Sequence, residues 1–114
     1  MFDSRLLGTW RSDARRTLRE IRARRDIPAK RVRQLAALFG HLELRFTKTR
    51  CYSRLNGVMD SRAYKVVAKD SSSVATVVDN EILGQRSISH IHFVDGHFWI
   101  NVGTGLFREF FRRV

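Results

Sequence analysis

His90 and His92 stand two residues apart within Ser87–Val94. On an extended strand that spacing puts both imidazoles on one face, and two imidazoles on one face are half of a zinc site. The further ligand would come from His41, His97, Glu43 or Cys51. The plainer reading is that Ile91 and Phe93 point into a core and the two histidines are solvated. A motif without its third ligand carries little weight, so we expect no metal and no cofactor. Cys51, the only cysteine, sits between Arg50 and Tyr52. Basic neighbours can lower a thiol pKa, but a lone strand cysteine more often packs as a small core residue. One cysteine allows no internal disulfide, which suits a reducing compartment.

Catalytic signatures are missing from the sequence. It has neither Gly-x-Ser-x-Gly nor a Walker-type loop. Gly103-x-Gly105 leads into a strand-like run holding Val114 and three phenylalanines, whereas a phosphate-cradling loop should open a helix. Asp60, Asp70, Asp79 and Asp95 read as turn residues. We therefore expect a binding protein rather than an enzyme.

Arginine is the conspicuous charged residue. The net charge is +11, and Arg11–Arg33 alone holds ten Lys/Arg against three Asp/Glu. A concentrated basic segment attracts anions of many kinds. Arg15, Arg16, Arg19 and Arg22 are the candidate contacts for nucleic acid or another polyanion. The competing account is a solvated helix face. No base-reading motif accompanies it, and the aromatics alternate as core residues do, so no stacking platform is evident.

These residues need elements to position them. With 114 residues and 43% apolar content, a single domain spanning 1–114 is expected. No apolar run approaches membrane-spanning length, and the first residues lack a signal-peptide pattern, so a soluble cytoplasmic protein is expected. Ser12 reads as a helix N-cap with Asp13 in the first turn. Ala14, Leu18 and Ile21 then share a face, Pro28 divides two helices, and Val32, Leu35, Ala36 and Phe39 form the second apolar face before Gly40. From His41 onward the period becomes two, with hairpin signals at Asn56-Gly57 and Asp95-Gly96. Counting Leu6–Trp10, about eight strands result. The fold expected is mainly β: an eight-stranded antiparallel up-and-down barrel, with a helical insertion at about residues 12–39 between strands one and two.

Gly8-Thr9-Trp10 at the head of such a meander resembles the Gly-x-Trp signature of the calycin superfamily, which includes lipocalins and fatty-acid-binding proteins. The likeness is nearest to small bacterial lipocalin-like proteins of unassigned function, through Gly8–Asp13 and the terminal Phe107–Val114. The resemblance implies that Trp10 closes one end of the barrel against an arginine of the last strand, a cation–π stack for which Arg112 is the first candidate beside Arg108 and Arg113. It also implies that the helices cap the barrel. The Arg-x-Tyr pair that holds a ligand carboxylate in fatty-acid-binding proteins is here Arg108-Glu109-Phe110, without the tyrosine.

A barrel of this size is either filled by side chains or holds one small ligand. The candidate lining is Phe46, Tyr64, Val66, Phe93, Phe98, Ile100 and Phe110, with Leu44 and Val77. Arg108 is the candidate buried cation for an anionic head group. The expected function is binding of a small, apolar and anionic ligand; the alternative is polyanion binding on the helices. Monomer and homodimer both remain open.

Overall fold

The computed structural model describes residues 2–80, 85–102 and 107–114, without the side chains of residues 79, 80 and 85. The elements are β1 (Gly8–Ser12), α1 (Ala14–Ala23), α2 (Ala29–Ala36), β2 (Glu43–Phe46), β3 (Arg50–Leu55), β4 (Val58–Lys69), β5 (Ser73–Asn80), β6 (Gln85–Val94), β7 (His97–Val102) and β8 (Phe107–Arg113). The eight strands pair in sequence order as a closed antiparallel barrel, and β8 returns to β1 through Trp10↔Arg113 and Ser12↔Phe111. The two helices lie between the first and second strands, as the change of period in the sequence implies. Gly103-Thr104-Gly105 and Gly84 fall outside the described residues.

Both hairpin signals act as expected. Asn56-Gly57 and Asp95-Gly96 all have positive φ, between 47° and 81°, which two-residue type I′ turns require. Two local expectations are corrected. The N-cap of α1 is Asp13, whose Oδ1 accepts the Arg16 amide at 3.0 Å. Ser12 is the last residue of β1 instead, its backbone held by the Leu42 carbonyl. Asp60 and Asp79 lie within β4 and β5 rather than at turns, because those strands run further than the apolar alternation suggested.

Alternation decides which side chains fill the barrel. Leu6, Trp10, Phe46, Tyr64, Val66, Val74, Ile91, Phe98 and Phe111 form one buried cluster. Phe98 is at its centre, against Trp10 at 4.7 Å and Phe111 at 4.9 Å between ring centroids. A second cluster belongs to the helices, where Leu18, Ile21, Leu35 and Phe39 pack with Val102 and Phe107 at the opposite end of the barrel. Thr17 joins α1 to β8 by accepting the Phe110 amide at 2.9 Å.

The end of the barrel around Trp10 is sealed. Residues 3–7 cross it, and the Trp10 indole N–H donates to the Leu6 carbonyl at 2.9 Å. Arg113 lies over the indole at 4.3 Å and donates to the Leu7 and Arg5 carbonyls, both at 2.7 Å. Gly8 has φ +119°, and a Cβ there would stand 2.9 Å from the Arg113 guanidinium. Glycine is thus needed both for backbone conformation and for the approach of that arginine. The expected tryptophan–arginine stack forms, but with Arg113 in place of Arg112. Arg112 pairs across from Arg11 and His97 on the outward face, because one residue along a strand reverses its side.

Candidate functional site

The barrel interior differs between its two halves. Near the sealed end, four of the expected lining residues are packing. Phe46, Tyr64, Val66 and Phe98 are all buried in one cluster, with the Phe46 ring against both Tyr64 and Phe98. The Tyr64 hydroxyl donates to the Thr47 carbonyl, and burial pushes its pKa up. Cys51 joins the same cluster from its edge, and burial raises its thiol to about 11. The sequence expectation of a core cysteine rather than a reactive one agrees with that environment. Phe93 is half-buried beneath the Arg5 guanidinium at 4.8 Å, near the sealed end.

Toward the helical end the filling thins. Leu44, Val78 and Ile100 face inward and stay half-buried beside the cluster. The β6–β7 ladder consists of His92↔Trp99, Phe93↔Phe98 and Val94↔His97, whereas β5 pairs with β6 from Ser73 to Asn80. Ser87 and Ser89 share the inward face with Val78 and Thr76 through that β5–β6 register, yet both are exposed. Among the described residues the β6–β7 ladder does not continue past His92 and Trp99, and the half-buried inward positions at this end, Leu44, Val78 and Ile100, are termed the cup.

Glu109 stands in that cup. Its register partner is Ile100, and it alternates with the outward Arg108 and Phe110. It is only 8% exposed. Ser12 Oγ accepts the Gly40 amide at 2.9 Å, so its one proton goes to Glu109 Oε2, 2.7 Å away. Desolvation raises the Glu109 pKa, opposed only by that hydrogen bond. None of the ion pairs among the described residues includes it.

Three expected lumen residues lie elsewhere. Phe110, Arg108 and Val77 point out of the barrel, since their register neighbours Phe111, Glu109 and Val78 point in. Arg108 is an exposed outer residue stacked on Trp99 at 4.4 Å, not a buried cation. Phe110 is buried against α1, with the Arg16 guanidinium 4.9 Å from its ring. Val77 borders an outer cleft of about 370 Å³ edged by Lys48, Lys65 and Arg86.

The outward positions of β6, β7 and β8 make a row that sequence reasoning missed. His92 stacks on Trp99 with centroids 4.0 Å apart and planes 11° from parallel. His90 follows at 6.5 Å from His92, and Arg108 reaches Trp99 from β8. Desolvation first, then the charges of His90 and Arg108, pushes the His92 pKa down. Because β6 and β8 flank β7, both indole faces are occupied. The row therefore offers ring edges and N–H donors rather than an open stacking face. Trp99 drew no attention in the sequence because it sits between Phe98 and Ile100 in an apolar run. Its alternation with the buried Phe98 was the available signal. Among the described residues, no three His, Cys, Asp or Glu side chains gather closely enough to hold a metal ion, so His90 and His92 have no third ligand there.

The four candidate arginines of α1 separate. Arg15, Arg19 and Arg22 recur at spacings four and three, share one face, and are exposed. Arg16 lies on the flank toward β8, over Phe110. Phe110 is the register partner of Trp99, so α1 and the outer row join through Arg16, Phe110 and Trp99. Asp13 fastens the junction, accepting from the His97 ring at 3.0 Å. Burial would raise the Asp13 carboxyl, but the Arg16 amide and His97 outweigh it and hold it below the usual value.

No helix among the described residues is long and apolar enough to cross a membrane. No family model, curated protein or solved structure matches the chain.

Proposed function

We propose that this chain is a non-enzymatic binding protein whose basic surface takes a polyanion, with nucleic acid as the favoured class. The observation carrying this reading is the continuity between the arginine face of α1 and the outer row of Arg16, Trp99, His92 and Arg108. Phosphates are bound by charge-assisted hydrogen bonds from fixed donors. Here Trp99 and Phe110 hold two guanidinium groups in place, which lowers the entropy cost of using them. Both faces of Trp99 are covered, so contact is with the phosphate backbone and carries little sequence preference. The arrangement of Gly8, Trp10 and Arg113 supports placing the barrel with the calycins.

Fluorescence anisotropy with a labelled duplex of about 20 base pairs tests the reading. With Arg15, Arg16, Arg19, Arg22 and Arg108 each meeting one phosphate, log affinity should fall with log salt at a slope of about −4.5. That is a loss of about 500-fold between 50 and 200 mM salt. Replacing Arg15, Arg19 and Arg22 together with alanine should flatten the slope by about three units. Salt-independent binding, or affinity unchanged in that triple variant, refutes the proposal.

A second reading is a small ligand in the upper barrel. It is favoured by the half-buried inward side chains of Leu44, Val78 and Ile100. The sealed end is instead occupied by the buried cluster around Phe98.

A further inference from the structure

Resting on that second reading, we infer that the cup binds a small organic ammonium ion, with Glu109 as its counter-charge and a short apolar tail along Leu44, Val78 and Ile100. This reverses the ligand charge expected from the sequence, where an inward Arg108 implied an anionic head group.

The chain holds twice as many basic as acidic residues, 22 against 11. Even so, a carboxyl that is 8% exposed has no basic partner among the described residues. An isolated buried carboxylate is costly, and the cost is offset by protonation or by a cation. The surroundings select between its two oxygens. Ser12 is fixed as a donor to Oε2 because Gly40 occupies its acceptor side. Oε1 has no hydrogen-bond partner among the described residues and is the atom left to receive an N–H. By register Asp60 and Arg62 of β4 also face inward, and they pair with each other at 3.2 Å. β7 places Ile100 opposite Glu109, β1 places Ser12, and α1 closes over the β8 backbone through Thr17. Arg108 and Arg112, the charged residues of β8 nearest in sequence, are on its outward face. Arg16 is drawn outward as well, onto Phe110.

The apolar walls fit a short tail. Leu44, Val78 and Ile100 adjoin the buried cluster but retain accessible surface. Ser87 and Ser89, inward by register yet exposed, mark a route from solvent. An ammonium ion gains from that geometry what an alcohol does not, namely a charge-assisted hydrogen bond to a desolvated carboxylate. A carboxylate ligand would meet Glu109 with like charge.

The experiment compares n-hexylammonium, hexanol and hexanoate on the full chain by NMR titration, reading the Leu44, Val78 and Ile100 methyl groups. The expected result is hexylammonium binding at least about tenfold tighter than hexanol. Hexanoate should be weakest, although the protein's net positive charge favours it at long range. Glu109→Gln should bring hexylammonium to the level of hexanol. A second measurement uses only the wild type, in case that variant fails to fold. The Glu109 carboxyl carbon is followed through a pH titration with and without saturating hexylammonium. Binding stabilises the charged form, so the midpoint should move down by about one unit. An unmoved midpoint, or hexanol or hexanoate binding as tightly as hexylammonium, overturns the ammonium proposal and leaves the cup standing. If none of the three shifts the cup methyls, the second reading falls together with it.

Discussion

Removing the Arg113 side chain should be far more damaging than removing that of its neighbour Arg112. Arg113→Ala deletes two hydrogen bonds to the Leu7 and Arg5 carbonyls and a guanidinium stacked on Trp10. Arg113 is itself exposed, so each hydrogen bond is assigned about 1 kcal/mol and the stack about 1 kcal/mol. The total is about 3 kcal/mol. A chain of 114 residues has an unfolding entropy near 0.24 kcal/mol/K, taken from about 2.1 cal/mol/K per residue. The melting temperature should therefore fall by about 12 °C. Arg112 lies across from Arg11 and His97, on the outward face of β8. Arg112→Ala should be neutral within about 0.5 kcal/mol, or slightly stabilising through relief of like charge. Arg113→Lys should fall between the two, since an ammonium reaches one carbonyl where the fork reaches both. Differential scanning calorimetry on the three variants decides the matter. Equal losses at 112 and 113, or an Arg113→Ala variant melting within about 3 °C of wild type, would refute the assignment of the strap to Arg113.

Two further outcomes follow from buried titratable groups. Cys51, with a thiol near 11, should be about one part in a thousand thiolate at pH 8 and should resist iodoacetamide until the protein unfolds. Rapid alkylation of the folded protein would contradict its packing against the barrel cluster. The Glu109 carboxyl titrates above its ordinary 4.5 because it is desolvated. Its contribution to stability is therefore complete below that value and lost as pH rises through the folded one. The stability of wild type relative to Glu109→Gln, measured by urea titration, should decline from about pH 4 toward pH 7. Asp3 and Asp13 act in the opposite sense. Both are held below 3.8, Asp3 chiefly by its hydrogen bond to Arg5, so their contributions are present above 3.8 and lost on acidification. They stand in both proteins of the comparison and cancel. A difference that grows with pH would place Glu109 in a polar environment instead.

Strand order, helix placement and turn type were legible because they are written in local patterns. Period two after His41, period 3.6 before it, Pro28 between the helices, and paired positive-φ residues at Asn56-Gly57 and Asp95-Gly96 each depend on a few adjacent residues. The concentration of arginine on α1 was equally plain. What alternation could not settle was its own phase on the last strand. Glu109, Phe110 and Phe111 are consecutive and all buried. Burial there has two causes, the lumen for Glu109 and Phe111 and the α1 flank for Phe110. A pattern in which both faces are covered gives no sign of which face is inside.

That ambiguity explains the misplaced site residues of β8. With Phe110 assigned inward, Arg108 becomes a lumen cation and Glu109 a surface residue; the register against β7 reverses all three. Only the tertiary structure could decide it, because the phase of β8 is set by partners about a hundred residues away, Trp10 beneath Arg113 and Ser12 beside Glu109. The outer row has the same origin. His92, Trp99 and Arg108 come from three strands, and they meet because neighbouring strands place facing side chains about 5 Å apart. Local chemistry thus determined the elements and their order. Contacts between distant strands determined which residues share the cup and which share the surface, since each strand has two faces and sequence periodicity does not name the one that closure buries.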